Sequence, residues 1–353
     1  MRAFGFLSFG HYGAGGGVGG VDARQMLHDA IDIAVGADEL GVNTAAFRVH
    51  HFATQAASPM PLLSAVAART SRIEVGTGVI DMRYENPLYL AEEAAALDLI
   101  ADGRVALGIS RGSPEPADRG WEAFGYTGST DPRGEDIARA KFDAFLAAIR
   151  GEPMARAGAD ARMGGATPGQ ALRIEPHSPG LIDRIWWGAG SRASAENVGR
   201  MGLNLMSSTL LTEATGQAFG DLQAEQIDRY RETYAAAGHT GSPRVSVSRS
   251  IFPAVSEQDR RMFGLRSGSD QIGVIDGFES TFGRTYAGEP DHLIEQLRED
   301  AAVMSADSLL LTIPSQMGVE LNLRILQNMA EHVAPALGWK PNTDGPVVGD
   351  PIG

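Results

Sequence analysis

The stretch of sequence that decides the fold is Ile73–Gly112, which reads IEVGTGVIDMRYENPLYLAEEAAALDLIADGRVALGISRG. Ile73–Ile80 is a short apolar run rich in β-branched residues, which predicts a buried strand. Asn86-Pro87 predicts a helix start, because asparagine caps free N–H groups and proline suits the first helical position. The helix should end at Asp102-Gly103, and Arg104–Ile109 is a second apolar run. The order strand, helix, strand predicts a βαβ unit with parallel strands.

The same unit repeats along the rest of the chain. Apolar runs that predict strands alternate with segments that predict helices, and the composition does not change between the two halves. The eight predicted strands are Ala3–Phe9, Val42–Phe47, Ile73–Ile80, Arg104–Ile109, Arg184–Ala189, Leu203–Ser207, Arg244–Phe252 and Ser308–Ile313. This pattern predicts an α/β fold, a (β/α)8 TIM barrel, with an open doubly wound sheet as the alternative.

Two segments interrupt the alternation and predict insertions after the fourth and seventh strands. Gly151–Gly169 is rich in alanine and glycine and predicts an exposed excursion. Pro253–Gly288 has no clear periodicity, which predicts either a lid or local disorder. Pro290–Val303, which follows, predicts one continuous helix. We expect residues 1–339 to form a single barrel domain and residues 340–353, rich in proline and glycine, to form a flexible tail.

The composition is that of an ordinary globular protein and excludes several kinds of function. The formal net charge of −14 disfavours binding to nucleic acid or to an anionic membrane surface. The chain has no cysteine, which excludes disulfides, iron–sulfur clusters and a cysteine nucleophile. No apolar run approaches the length of a membrane span, and Met1–Phe9 lacks the features of a signal peptide. We therefore expect a cytoplasmic protein.

Polar residues at the carboxyl ends of the strands are the first candidates for function, because active sites of TIM barrels lie there. His50 and His51 end the second strand. Adjacent residues of a strand point to opposite faces, so only one of these rings should face the barrel mouth, and we predict no metal site. That histidine is either an acid/base group or a ring that bonds to a backbone carbonyl.

Two further strand ends predict a site for an anion. Ser110 and Arg111 follow the fourth strand, and an arginine there suits a phosphate or carboxylate. The alternative for Arg111 is an ion pair with Asp98 or Asp102. Gly188–Ser194, GAGSRAS, joins the fifth strand to its helix. Its small residues allow a ligand close to the backbone, and free N–H groups at a helix start favour an anion, although ordinary helix capping is the alternative.

His11–Gly20, HYGAGGGVGG, follows the first strand and is too rich in glycine for a helix or a stable strand. No helix follows at the spacing of a dinucleotide-binding fingerprint. The segment is either a plain flexible loop or a mobile cover over a ligand.

An ordered series of short motifs resembles the bacterial luciferase-like flavin-dependent monooxygenases across nearly the whole chain. The motifs are His50-His51-Phe52, Val75-Gly76-Thr77-Gly78, Asn86-Pro87, Leu97-Asp98, Gly103-Arg104, Gly108–Gly112, Trp186-Trp187-Gly188-Ala189, Gly288-Glu289-Pro290 and the closing Leu309–Leu311 strand. Each motif alone is weak. Their order is specific to the superfamily, though not to a substrate.

This resemblance implies a TIM barrel that binds FMN at the carboxyl ends of its strands. The flavin usually arrives as FMNH2 from a separate NAD(P)H:flavin reductase. In the family it reacts with O2 to form a C4a-(hydro)peroxide, which oxygenates a small organic substrate such as an aldehyde or ketone. The resemblance also implies a homodimer, formed through the helices that flank strands two to four.

The resemblance implies a role for each matching residue. His50 matches the catalytic histidine, an acid/base group near the flavin. Gly78-Val79 matches a non-prolyl cis peptide under the flavin ring, and Ser110 lies where luciferases have a cysteine near the flavin edge. The residues that match phosphate ligands are Arg111, Ser191, Ser194 and Arg139.

One position departs from the pattern of the family. The family commonly has Glu just before the paired histidines, whereas this chain has Val49, with Arg48 beside it. The change removes a carboxylate that could tune the imidazole, and it argues against luciferase-like aldehyde chemistry. Two alternatives therefore stay open: an F420-dependent dehydrogenase on the same barrel, and a flavin-binding protein without turnover.

Overall fold

The computed structural model describes residues 3–13, 20–112, 115–160, 165–264, 267–275 and 278–345. Its strands are β1 (Ala3–Ser8), β2 (Thr44–Phe47), β3 (Glu74–Asp81), β4 (Val105–Ser110), β5 (Ala155–Arg156), β6 (Ala171–Leu172), β7 (Ile185–Ala189), β8 (Asn204–Ser207), β9 (Leu210–Leu211), β10 (Val245–Pro253), β11 (Gln271–Ile275), β12 (Phe278–Phe282), β13 (Thr285–Gly288) and β14 (Ser308–Ile313). Its α-helices are α1 (Ala23–Glu39), α2 (Pro59–Arg69), α3 (Pro87–Ile100), α4 (Glu135–Ile149), α5 (Arg192–Met201), α6 (Phe219–Ala236), α7 (Glu257–Phe263), α8 (Pro290–Glu299), α9 (Ala301–Ser305) and α10 (Val319–His332).

Eight of these strands close into a parallel barrel. They hydrogen-bond in the order β10–β14–β1–β2–β3–β4–β7–β8, and pairing of β8 with β10 completes the ring. The predicted (β/α)8 barrel is confirmed, with small differences at the strand ends, and this closure excludes the open sheet. β13 adds a further parallel strand beside the last residues of β10.

The interior of the barrel is filled by apolar side chains from six different strands. The cluster consists of Leu7, Ala46, Ala106, Trp186, Met206 and Leu310. Neighbouring residues of a strand face opposite ways, so Trp186 lies in this core while Trp187 packs against Phe142 of α4, with 4.5 Å between ring centroids. The two tryptophans, which the sequence left unassigned, therefore have different surroundings.

A two-pronged ion pair crosses the amino-terminal end of the barrel. The guanidinium of Arg244, just before β10, donates to both carboxylate oxygens of Glu74, the first residue of β3, at 2.7 and 2.8 Å. Thr44 of β2 donates to the same carboxylate at 3.0 Å, and Arg244 lies over the ring of Trp186. The pair thus joins strands that are not neighbours in the barrel.

The helices begin largely where the sequence predicts. The side chain of Asn86 accepts hydrogen bonds from the backbone N–H groups of Leu88 and Tyr89 at the start of α3. The prediction of one helix over Pro290–Val303 is wrong, because Asp300 separates α8 from α9. Its carboxylate caps α9 and binds Arg249 of β10, and this contact holds the residue in an extended conformation. No helix in the described ranges is long and apolar enough to cross a lipid bilayer.

Both predicted insertions are present, and the second is more regular than the sequence suggests. Within residues 150–184, β5 and β6 form a short antiparallel pair. Pro253–Gly288 contains α7, the antiparallel pair β11–β12 and β13, so the interpretation of local disorder is wrong for its described residues. β12 also pairs with β9, which follows β8, and the three strands form a small sheet.

Two predicted flexible segments are described only in part. The glycine-rich loop 11–20 lies largely outside the described residues, although the ring of His11 stacks on Phe9. In the predicted tail, the backbone N–H of Asn342 donates to Gly41 at 2.9 Å. Residues 346–353 lie outside the described part of the chain, so the flexible tail stays a prediction.

We expect Arg244→Met to lower the free energy of unfolding by about 3–5 kcal/mol, because it leaves the buried carboxylate of Glu74 without its cation. The control is Arg69→Met, which removes the exposed Arg69–Asp32 pair and should cost less than about 1 kcal/mol. Urea denaturation measures both values. Equal losses in the two variants would show that the barrel does not depend on this pair.

Candidate active site

A cavity of about 890 Å3 opens at the carboxyl ends of the barrel strands. Its inner wall comes from the ends of the barrel strands, including Leu7 of β1, Met206 of β8 and Ser248 of β10. Its outer wall comes from one face of α4 and one face of α5, and β9 adds Leu210. The volume lies in the range of small-molecule and cofactor sites.

The cavity brings together the residues that the sequence predicts as cofactor ligands. All seven line it: Gly78, Val79, Ser110, Arg111, Arg139, Ser191 and Ser194. They come from β3, β4, α4 and the β7–α5 turn, so only the closed barrel makes them neighbours. His50, the predicted catalytic residue, is not part of this lining, although Val49 and Arg48 before it are.

The wall formed by β3 contains the cis peptide that the resemblance implies. The Gly78–Val79 bond is cis, and the pairing of β3 with β4 shifts in register between Thr77 and Ile80. A Cβ on Gly108 of β4 would lie 2.2 Å from the carbonyl oxygen of Thr77, so only glycine fits there. The presence of the cis bond is confirmed. Its position under a flavin ring stays a prediction.

Arg111 has a partner that the sequence did not indicate. It forms an ion pair with Glu135, at the start of α4, rather than with Asp98 or Asp102. Asp98 instead accepts from Arg184 at 3.0 Å. Because Glu135 neutralises Arg111, an anion would have to displace or share that carboxylate.

Arg139 is more available to an anion than Arg111 is. It is exposed on the face of α4 that lines the cavity, and it has no ionic or hydrogen-bonding partner within the described part of the chain. Lys141, on the same helix, donates to the carbonyl of Arg83 and so ties α4 to the segment after β3. Burial lowers the pKa of Lys141 to about 8, and burial together with Glu93 raises the pKa of the nearby Glu85 to about 7.

Hydrogen bonds from its own side chains and from α6 fix the backbone of the β7–α5 turn. The side chain of Ser191 accepts from the N–H of Ser194 at 3.2 Å, so capping and cavity lining occur together. Gln226 of α6, fully buried, donates to the carbonyls of Ala189 and Ser191. A Cβ on Gly190 would have no neighbour closer than 3.7 Å, which leaves room beside the backbone. No sequence pattern singles out Gln226, whose role depends on the packing of α6.

The two histidines after β2 make different contacts, and neither ring belongs to the cavity lining. Nδ1 of His50 lies 2.9 Å from Oε2 of Glu115, which lines the cavity. The ring of His51 stacks on Tyr84 at 4.1 Å, and burial lowers the pKa of His51. The partner of His50 is therefore a carboxylate, not the backbone carbonyl that was the alternative.

Sequence reasoning missed Glu115, together with two other charged groups of the wall. Glu115 and Glu135 come from the connection after β4 and the start of α4, and Arg48 precedes the histidines. Burial lowers the pKa of Arg48, while the charge of Glu115 opposes this effect. Nothing in the local sequence separates these residues from exposed loop charges, because their partners lie far along the chain.

The family model for luciferase-like monooxygenases matches residues 1–262. The chain belongs to the luciferase-like monooxygenase family. A curated relative of this family is the oxygenase component of flavin-dependent trigonelline monooxygenase from Acinetobacter baylyi, which is 32% identical over 92 residues. That match covers 26% of this chain and 26% of the relative, so only about a quarter of the relative's length is compared.

Solved structures of similar fold bind two different cofactors. The oxygenating constituent of 3,6-diketocamphane monooxygenase from Pseudomonas putida, a type II Baeyer–Villiger enzyme in complex with FMN, has a TM-score of 0.68 at 18% identity and covers 95% of this chain and 98% of its own. An F420-dependent secondary alcohol dehydrogenase has a TM-score of 0.61 at 14% identity, over 96% and 99% of the two chains. These likenesses establish the luciferase-like fold, not the cofactor.

Proposed function

We propose that the chain is the oxygenase component of a two-component monooxygenase. It takes FMNH2 from a separate NAD(P)H:flavin reductase and uses O2 to oxygenate a small organic substrate such as an aldehyde or ketone. The observation that carries this proposal is the single cavity lined by all seven residues that match the family's cofactor positions. The names of the trigonelline and diketocamphane relatives, both monooxygenases, agree with it.

The chemistry of the cavity fits FMN. The phosphate of FMN carries at most two negative charges. Arg139 offers it a cation that has no other partner in the described part of the chain, and the start of α5 offers hydroxyl and N–H groups. Ser191 and Ser194 supply the hydroxyls. Gly78 and Gly188 also line the cavity, and their lack of side chains leaves room for a ring close to the backbone.

The charges around Arg139 favour FMN over F420. Glu135, Arg139 and Asp143 are spaced four residues apart on α4 and all line the cavity. Glu135 is paired with Arg111, so Asp143 is the carboxylate of this face that would repel the polyanionic tail of F420. A single phosphate can lie between Arg139 and α5. The F420-dependent dehydrogenase is therefore the alternative that a binding experiment must exclude.

The chain's own residues would bind the cofactor, limit water and handle protons. When bound, reduced FMN supplies the electrons that activate O2. Leu210 and Thr212, in and just after β9, belong to the cavity wall, so the small sheet β9–β12–β11 restricts the entry of water. His50, which contacts the lining residue Glu115, would serve as the acid/base group.

The first test loads the protein with reduced FMN without oxygen and then mixes it rapidly with oxygenated buffer. We expect oxidised FMN to appear at least roughly tenfold more slowly than in protein-free buffer, since a water-poor site protects the reacting flavin. Absorbance spectra over time measure this. Candidate compounds can then be added, and a substrate is recognised because oxidised FMN reappears faster in its presence.

Two other outcomes would each contradict the proposal. A time course equal to that of protein-free buffer, with reduced FMN bound, supports a flavin-binding protein without turnover. Tight binding of reduced F420 with no binding of FMN supports the dehydrogenase.

We expect Arg139→Gln to weaken the binding of FMN roughly ten- to hundredfold, because it removes a charge-assisted hydrogen bond to the phosphate. Riboflavin, which lacks the phosphate, should bind both proteins equally. Fluorescence titration measures the two affinities. The matched control is Arg150→Gln, at the other end of α4 and outside the cavity. Equal losses for FMN and riboflavin would show that Arg139 does not contact the phosphate.

We also propose that the chain forms a homodimer through α3. This helix is apolar on its outer face as well as its inner face, and four of its large apolar side chains are exposed. They are Leu88, Tyr89, Leu99 and Ile100. Tyr89, Ala96 and Ile100 lie on one face at helical spacing, with the exposed Glu93 between them. A largely apolar face of this kind is typical of a helix that is covered in an assembly.

Charge on this face should separate the subunits. We expect Tyr89→Glu with Ile100→Glu to raise the dimer dissociation constant roughly 30-fold or more, because two apolar contacts become buried like charges. Sedimentation velocity measures it. Ile272→Glu, on the equally exposed face of β11, is the control and should change nothing. A wild-type chain that stays monomeric at high concentration contradicts the proposal.

A further inference from the structure

The immediate chain neighbour of His50 carries no carboxylate. Val49 stands before the paired histidines, is buried and lies among apolar core residues. A neutral imidazole has two tautomers, and which ring nitrogen carries the proton depends on the hydrogen bond made by the other. The side chain of Val49 cannot form a hydrogen bond to the ring, so a preference for one tautomer must come from another residue.

Glu115 supplies a carboxylate in space rather than in sequence. Its Oε2 lies 2.9 Å from Nδ1 of His50, although the two residues are 65 positions apart. Both side chains are largely buried, at 9% exposure for His50 and 3% for Glu115. A deprotonated carboxylate only accepts hydrogen bonds, so the proton of this bond belongs to Nδ1.

We propose that Glu115 is the positioning residue of His50, in place of the carboxylate that position 49 lacks. The contact fixes the Nδ1–H tautomer and the plane of the ring, and it leaves Nε2 as the atom that accepts or gives a proton. A carboxylate bonded to one ring nitrogen of a histidine fixes which nitrogen carries the proton. The catalytic part of this proposal rests on the acid/base role of His50 in the proposed function.

The position of Glu115 links His50 to the cavity. Glu115 follows β4 by a few residues and lines the cavity, whereas His50 does not. Its buried charge is offset by Arg48, which lines the same wall and is affected by it. The residue that determines the tautomer of His50 is therefore also in reach of a bound ligand.

The test compares Glu115→Ala, Glu115→Gln and the control Glu122→Ala in the full-length chain. Nitrogen-15 NMR of the imidazoles reports the tautomer without any cofactor or substrate, and His50→Asn assigns the signal. Spectra are recorded at a pH where the ring is neutral. Glu122 lies on the same connection after β4 but pairs with Arg119 at the surface.

We expect wild type and Glu122→Ala to show a protonated Nδ1 and an unprotonated Nε2. Glu115→Gln should keep this signature, since its amide oxygen can still accept from Nδ1–H. Glu115→Ala should lose it. An unchanged His50 signal in folded Glu115→Ala, with folding checked by circular dichroism, would overturn the positioning role whatever the activity of the protein.

A second readout separates this inference from the proposed function. The rate at which oxidised FMN appears after oxygen mixing is measured for Glu115→Ala, His50→Ala and the double variant. If Glu115 acts through His50, the double variant should change the rate no more than His50→Ala does. Additive effects would contradict the inference. A changed tautomer with no change in rate would keep the positioning role and refute the acid/base role of His50.

Discussion

The architecture depends on one contact between distant parts of the chain, the pair of Glu74 with Arg244. The residues are 170 positions apart and belong to strands that do not hydrogen-bond to each other. Their bidentate bond forms only when the sheet has closed, and a partly closed barrel would leave the carboxylate of Glu74 buried and uncompensated. The buried charge of Glu74 therefore disfavours an open sheet, which apolar packing alone would tolerate. The closed barrel in turn brings the carboxyl ends of its strands together at one cavity.

The sequence predicts the barrel well because its signals are local. Asn86-Pro87 caps and starts a helix through contacts within a single turn, and an apolar run such as Ile73–Ile80 needs no partner to be read as a strand. The prediction fails where a distant residue decides. Asp300 ends α8 because its carboxylate binds Arg249, a contact 51 positions away that no helical periodicity records. The pairing of β12 with β9 is likewise a contact between distant parts of the chain.

The candidate site shows the same division between features set by local sequence and features set by distant contacts. Ser110 and Ser191 could be predicted because the end of a strand is a local feature and the barrel then gathers such ends at one mouth. Their partners could not. Glu135 neutralises Arg111, and Glu115 reaches His50, from a connection whose course is set by the packing of α4. The sequence therefore identifies which side chains lie at the barrel mouth, but not which of their charges are neutralised by a partner.

The connection from β4 to α4 consequently serves both sides of the cavity. It places Glu115 beside His50 and Glu135 beside Arg111, with Arg139 one turn of α4 later. An anion bound at Arg139 would also lie near Glu135, and any competition for Arg111 would be transmitted to the start of α4. Lys141 limits such movement, because it anchors the helix to the segment after β3. A change in this one connection can therefore alter the contact at His50 and the pairing of Arg111 together.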